Sequence, residues 1–133
     1  MGILLILLDS HVLIWLILDS KRLSRDAASA IRRARRGGGL AVSAISMYEI
    51  GWQIAAGRVQ GYGTVEASVL KFLEGVAVLP ITPEIAALAA QFPNDYPGDP
   101  ADRLIGATAR SEGLTLVTAD ARIRRSPLLK TVW

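Results

Sequence analysis

The stretch "ILLILL" at residues 3–8 is an unbroken apolar run that ends on Asp9, Ser10 and His11 before "VLIWLIL" takes up the apolar pattern again. A strand wetted on one face alternates apolar and polar side chains. An unbroken run of this length fits a strand covered on both faces, as in a parallel sheet sandwiched between helices. A carboxylate inside one continuous apolar element would be costly. Asp9 is therefore predicted to end the strand, and "HVLIWLIL" to be a separate short helix packed on the sheet.

The rest of the chain repeats the alternation. Ser24 caps a helix that Gly37-Gly38-Gly39 stops, and "LAVSA" at 40–44 is a second strand. Ser46 and Glu49 stand at capping-box spacing for a helix running to Gly57, and a further helix covers roughly 64–74. "VAVLPI" is a third strand, and Thr82-Pro83 opens a helix ending near Gln91. After the turn-rich "FPNDYPGD", Asp99-Pro100 opens a helix to about Glu112. "LTLVT" is a fourth strand leading to Asp120, and "LLKTVW" supplies a short fifth. The pattern predicts a three-layer α/β/α sandwich with a mainly parallel four- or five-stranded sheet. At 133 residues, the expectation is one domain spanning 1–133.

Composition narrows the chemistry. With no cysteine there is no disulfide and no thiolate metal site, and one histidine excludes a multi-histidine site within the chain. Asp9, His11 and Asp19 interrupt the first apolar stretch, so neither a membrane span nor a signal peptide is read there. A cytoplasmic location suits this composition. The net charge of +3 tolerates a polyanionic partner without requiring one.

Four acids fall at one edge of the predicted sheet. Asp9 ends strand one, Glu49 begins the helix after strand two, Asp102 sits in the first turn of a later helix, and Asp120 follows strand four. In open α/β sheets that edge is where sites form. Four converging carboxylates repel unless a cation lies among them, and hard cations such as Mg²⁺ or Mn²⁺ take oxygen ligands. Such a cluster can hold a phosphate oxygen and activate water, which suits phosphodiester hydrolysis. Blander readings stand beside this one: Glu49 as the capping-box partner of Ser46, Asp99 as an N-cap, Asp102 as a helix-start acid favoured by the dipole, Asp120 as a turn cap.

Three blocks carry a family resemblance. "LLDSHVLIWLI" resembles the start of PIN-domain ribonucleases of VapC type, the toxins of toxin–antitoxin pairs. "VSAISMYEIGWQIAAGRV" and "DPADRLIGATARSEGLTLVTAD" are similar to the family's second and third blocks, in the same order. The resemblance implies that Asp9, Glu49, Asp102 and Asp120 are an acidic catalytic quartet binding Mg²⁺ or Mn²⁺. It implies that Thr118 orients an acid by hydrogen bond, and that Ser10 plays a similar local part. Asp99 matches an extra acid of the subgroup, so ligand and helix cap both stay open for it. The implied substrate is RNA; the implied partners are a second copy in a homodimer and a cognate antitoxin.

The chain departs from the subgroup pattern at Tyr48, Ala101 and Gly106. These change packing beside the quartet; glycine at 106 costs a helix about 1 kcal/mol against alanine. His11 is read as a hydrogen-bonded structural residue, and Trp15 and Trp52 as core or dimer-interface residues. Arg122, Arg124 and Arg125 are the better candidates for RNA phosphate contact, whereas Arg32, Arg33, Arg35 and Arg36 suit a solvated helix end. Arg103 is read as pairing an acid. A haloacid-dehalogenase-like phosphatase would want an acid at position 11, which is His11, and a receiver domain a late lysine, which "LTLVTAD" does not supply. The alternative that survives is a non-catalytic RNA-binding or regulatory protein.

Overall fold

The computed structural model describes residues 4–133. Its strands are β1 (Leu5–Leu8), β2 (Gly39–Ser43), β3 (Val76–Leu79), β4 (Leu116–Val117) and β5 (Thr131–Val132). The helices are α1 (Ser10–Leu18), α2 (Arg25–Arg36), α3 (Ile45–Ala55), α4 (Val65–Phe72), α5 (Pro83–Ala90), α6 (Pro100–Glu112) and α7 (Ala121–Arg124). The strands form one sheet in the order β3-β2-β1-β4-β5, and every neighbouring pair is parallel.

Alternation along β1 explains its wholly apolar sequence. Ile6 and Leu8 face a layer that includes Val12, Leu13, Ala27, Ile31 and Phe72, from α1, α2 and α4. Leu7 points the other way, into Ile85, Ala89, Ile105 and Ile123 from α5, α6 and α7. With helices on both faces, no position of β1 can be polar, and each buried aliphatic side chain contributes roughly 1.5–3 kcal/mol. Ile3, included in the predicted strand, lies outside the described residues.

Most helix starts follow the sequence signals. Ser24, Thr82 and Asp99 each accept a hydrogen bond from a backbone N–H of the first turn, and Thr64, for which no cap was read, does the same at α4. Three details differ. Helix α1 begins at Ser10, and Asp9 is its N-cap, accepting from the Ser10 N–H. Helix α3 begins at Ile45, with Ala44 at the cap and no side-chain capping bond. Ser46 is thus inside the helix and fully buried, so the predicted capping box does not form. Past Asp120 the chain makes a short helix, α7, where only a turn was foreseen.

The strand order sets the location of any site. From central β1 the chain proceeds through β2 to β3 on one side, then returns to add β4 and β5 on the other. The carboxyl ends of β1 and β4 therefore meet where the connections part in opposite directions, the usual position of an α/β crevice. None of the helices in the described residues is long and apolar enough to cross a membrane.

Candidate active site

Asp9 is fixed at that crevice from both backbone and side chain. Its N–H donates to the Val117 carbonyl at 3.0 Å, extending the β1–β4 pairing by one residue. Its Oδ1 accepts from the Ser10 N–H at 2.9 Å, and its Oδ2 accepts from the Thr118 hydroxyl at 2.7 Å. The residue is only 3% exposed. Each oxygen keeps a further lone pair, so the carboxylate is oriented without being used up.

Ser10 joins α1 to α3. Its Oγ lies 2.6 Å from Glu49 Oε1 and 2.7 Å from Ser46 Oγ. A hydroxyl has one proton, and an ionised carboxylate can only accept. Ser10 therefore donates to Glu49, and Ser46 donates to Ser10. Burial raises the Glu49 carboxyl above its ordinary range, the Ser10 hydrogen bond pulls it down, and Asp9 and Asp99 push it up.

Asp102 occupies the first turn of α6, next to Asp99, which caps the helix by accepting from the Ala101 and Asp102 N–H groups. Burial, reinforced by Asp9, Asp99, Glu49 and Asp120, lifts the Asp102 carboxyl to about 7. Burial likewise pushes the Tyr96 phenol well up, with Asp102, Asp9 and Asp120 adding to it. The mutual fields mean that these acids share one region.

A cleft of roughly 150 Å³ is lined by Asp9, Ser10, His11, Ile14, Glu49, Gln53 and Asp102. Three of the quartet thus face one space. Asp120 stands at its side, joined to it through Thr118. The Thr118 Oγ1 that donates to Asp9 accepts from the Asp120 N–H at 3.1 Å, and Asp120 Oδ1 caps α7 through the Arg122 and Ile123 N–H groups. Asp120 Oδ2 lies 3.6 Å from the Arg122 guanidinium. Asp99 lies on the adjoining hollow with Tyr48, Glu49, Trp52 and Gln53.

As the side chains stand, no three His, Cys, Asp or Glu among the described residues form a ready cage for one ion. The donor set nonetheless fits a hard divalent cation: every candidate donor is a carboxylate or hydroxyl oxygen. The acids raise one another's affinity for protons, and a shared cation relieves that repulsion.

His11 also borders the cleft. Its Nε2 accepts from the Ala119 N–H at 3.5 Å, which leaves the proton on Nδ1, 3.6 Å from Asp9 Oδ2. Its ring meets Trp15 edge-on. These contacts match the hydrogen-bonded structural reading. Trp52 is 45% exposed and lies under the Arg58 guanidinium, so it is not a core residue. Arg103 pairs no acid among the described residues; its guanidinium donates to the Ala89, Phe92, Pro93 and Tyr96 carbonyls at the end of α5 and in the loop that follows. Arg122 and Arg125 line a groove with Asp95, Ser126 and Pro127, which Arg124 does not join.

Residues 6–127 match the PIN domain family. The chain belongs to that family. This PIN domain is 45% identical over 130 residues to ribonuclease VapC22 of Mycobacterium tuberculosis, covering 96% of this chain and 98% of that protein. It superposes with a TM-score of 0.75 on a chain from the structure of VapBC2 of Rickettsia felis bound to a promoter DNA fragment, at 16% identity and covering 96% and 97% of the two chains. With DNA-bound VapBC of Salmonella typhimurium the TM-score is 0.70 at 21% identity, covering 96% of each chain. At those identities the structural likeness establishes the shared α/β fold.

Sequence reasoning missed Ser46, Gln53 and Tyr96 as neighbours of the acids. Ser46 carried a signal that was misread: a serine three residues before Glu49 suits a cap, yet it also lies on the same helix face as Glu49.

Proposed function

We propose that this PIN domain is a metal-dependent endoribonuclease, the toxin of a toxin–antitoxin pair, with Asp9, Glu49, Asp102 and Asp120 as its acidic centre. The observation that carries the reading is the convergence of Asp9, Glu49 and Asp102 on one cleft, with Asp120 tied to it through Thr118. Near-full-length similarity to ribonuclease VapC22 supplies the substrate class.

Asp9, Glu49, Asp102 and Asp120 would hold the Mg²⁺ or Mn²⁺. A bound divalent cation supplies Lewis acidity toward a phosphodiester oxygen and lowers the pKa of water. Thr118 holds Asp9, and Ser10 holds Glu49, in fixed orientations toward the cleft. Asp99, with Oδ1 already committed to the start of α6, serves as a cap and adds negative potential. Arg122 and Arg125 would take RNA phosphates along their groove, and Arg124 would act from the neighbouring exposed surface. The exposed aromatic side chains of Tyr48 and Trp52 on α3 support contact with a second copy of the chain, and a cognate antitoxin completes the set of partners.

The test is cleavage of RNA by the purified protein with and without Mg²⁺ or Mn²⁺, beside Asp9→Asn, with sequencing of the product ends. Expected is cleavage at defined sites that needs the cation and disappears in the variant. Cleavage unchanged by Asp9→Asn would place the chemistry elsewhere. RNA binding without cation-dependent cleavage would favour the non-catalytic alternative.

A further inference from the structure

We infer that Tyr96 is a positioning residue for Asp102, acting through the first turn of α6; the inference rests on the metal-site reading above. Tyr96 belongs to the loop between α5 and α6 and is 2% exposed, the largest side chain so deeply buried. Its hydroxyl donates to the Asp102 carbonyl at 3.2 Å. Phe92 meets its ring edge-on, with centroids 4.8 Å apart.

The ring can lie there because position 106 is glycine. A Cβ at 106 would run into the Tyr96 hydroxyl and ring carbon and press on Phe92. Gly106 is in the middle of α6, where glycine has no capping or turn role, and its φ is an ordinary helical one. The departure from the subgroup pattern at 106 thus has a partner: the helix gives up a side chain one turn after Asp102, and the tyrosine uses that space to reach the Asp102 carbonyl.

Arg103 secures the same loop from the neighbouring position. Its guanidinium donates to Phe92 and Pro93 at the start of the loop at 2.9 and 3.1 Å and to Ala89 at the end of α5 at 3.2 Å, so the segment leading into Tyr96 is tied to α6 as well. The turn that carries Asp102 is therefore held by the Asp99 cap beneath it and by Tyr96 beside it. Asp102 has no side-chain hydrogen bond comparable to Thr118–Asp9 or Ser10–Glu49 among the described residues. Its placement depends on the backbone, and Tyr96 acts on that backbone.

The experiment is Mn²⁺ titration calorimetry and metal-free thermal melting of the wild-type chain, Tyr96→Phe, Asp102→Asn and Phe72→Leu. Phe72 packs in the layer on the opposite face of the sheet, so its variant reports loss of stability alone. Tyr96→Phe is expected to weaken Mn²⁺ binding roughly 10-fold, the low end for groups that orient a metal ligand. Phe72→Leu is expected to melt earlier and bind Mn²⁺ as the wild type does. Tyr96→Phe with wild-type affinity, or with a loss that Phe72→Leu matches at equal melting temperature, overturns the inference while leaving the metal site intact. Asp102→Asn with wild-type affinity overturns the metal-site reading of that residue and this inference with it.

Discussion

The Thr118 hydroxyl reaches Asp9 Oδ2 at 2.7 Å across 109 residues of chain, joining the ends of the two adjacent strands β1 and β4. Both residues are buried, and the same hydroxyl oxygen accepts the Asp120 N–H. One small side chain therefore orients the first acid of the cluster and the backbone of the last. Thr118→Val keeps the shape and removes both bonds. It is expected to lower Mn²⁺ affinity and RNA cleavage by about 10–100-fold, the range for partners that orient a metal ligand. Thr118→Ser, which keeps the hydroxyl, is expected to retain most of both. Parallel titrations of the two variants check this, and equal behaviour would assign Thr118 to packing.

The Asp102 carboxyl gives a pH dependence. Burial and the surrounding acids raise it from 3.8 to about 7. Between those values the folded chain holds a proton that the unfolded chain has released, so stability falls as pH rises through that window and levels off above it. Burial raises Glu49 as well, which adds in the same sense. The metal-free protein is expected to melt at progressively lower temperature from about pH 4 to about pH 7. In Asp102→Asn the slope should flatten, with a melting point a few degrees higher at pH 8. Cation affinity runs the opposite way, rising as the proton leaves. Calorimetry across pH decides it: a variant with the wild-type slope would remove Asp102 as its source.

The layers and their order along the chain were legible because the dominant signals are local. Apolar runs set by two-sided burial give β1 and β2, and Ser24, Thr82 and Asp99 mark helix starts by capping chemistry that depends on a few neighbouring residues. The acids could be placed on one edge because they follow strands. What was hidden depends on residues far apart in sequence. Ser46 reads as a cap until Ser10, 36 residues away, draws its hydroxyl inward. Arg103 reads as a partner for an acid until the end of α5 and the loop after it offer it four carbonyls. Gly106 reads as a weak helix position until Tyr96 fills the space above it.

The arginines after Asp120 divide by position. Arg122 is held near Asp120 Oδ2, and Arg125 shares its groove, while Arg124 is exposed outside it. Arg125→Ala should weaken RNA binding and reduce the slope of log affinity against log salt by about one. Arg124→Ala should do less on both counts. Binding isotherms at several salt concentrations separate the two, and a larger effect at Arg124 would move the RNA path off the groove.

Gly106 offers a stability test in which local propensity and packing oppose each other. In a helix interior, glycine to alanine normally gains about 1 kcal/mol. Here the new Cβ would meet the Tyr96 hydroxyl and ring, both enclosed by Phe92 and α6. Overpacking a close-packed interior costs about 1–3 kcal/mol, so packing is expected to win and Gly106→Ala to lower stability. Tyr96→Phe removes the atom closest to the added methyl. In that background the cost of Gly106→Ala should shrink, giving a coupling energy between the two positions in a double-mutant cycle. Urea denaturation of the wild type, the two single variants and the double variant measures it. Additive effects, or a more stable Gly106→Ala, would mean that the loop yields easily and that Tyr96 does not press on the helix.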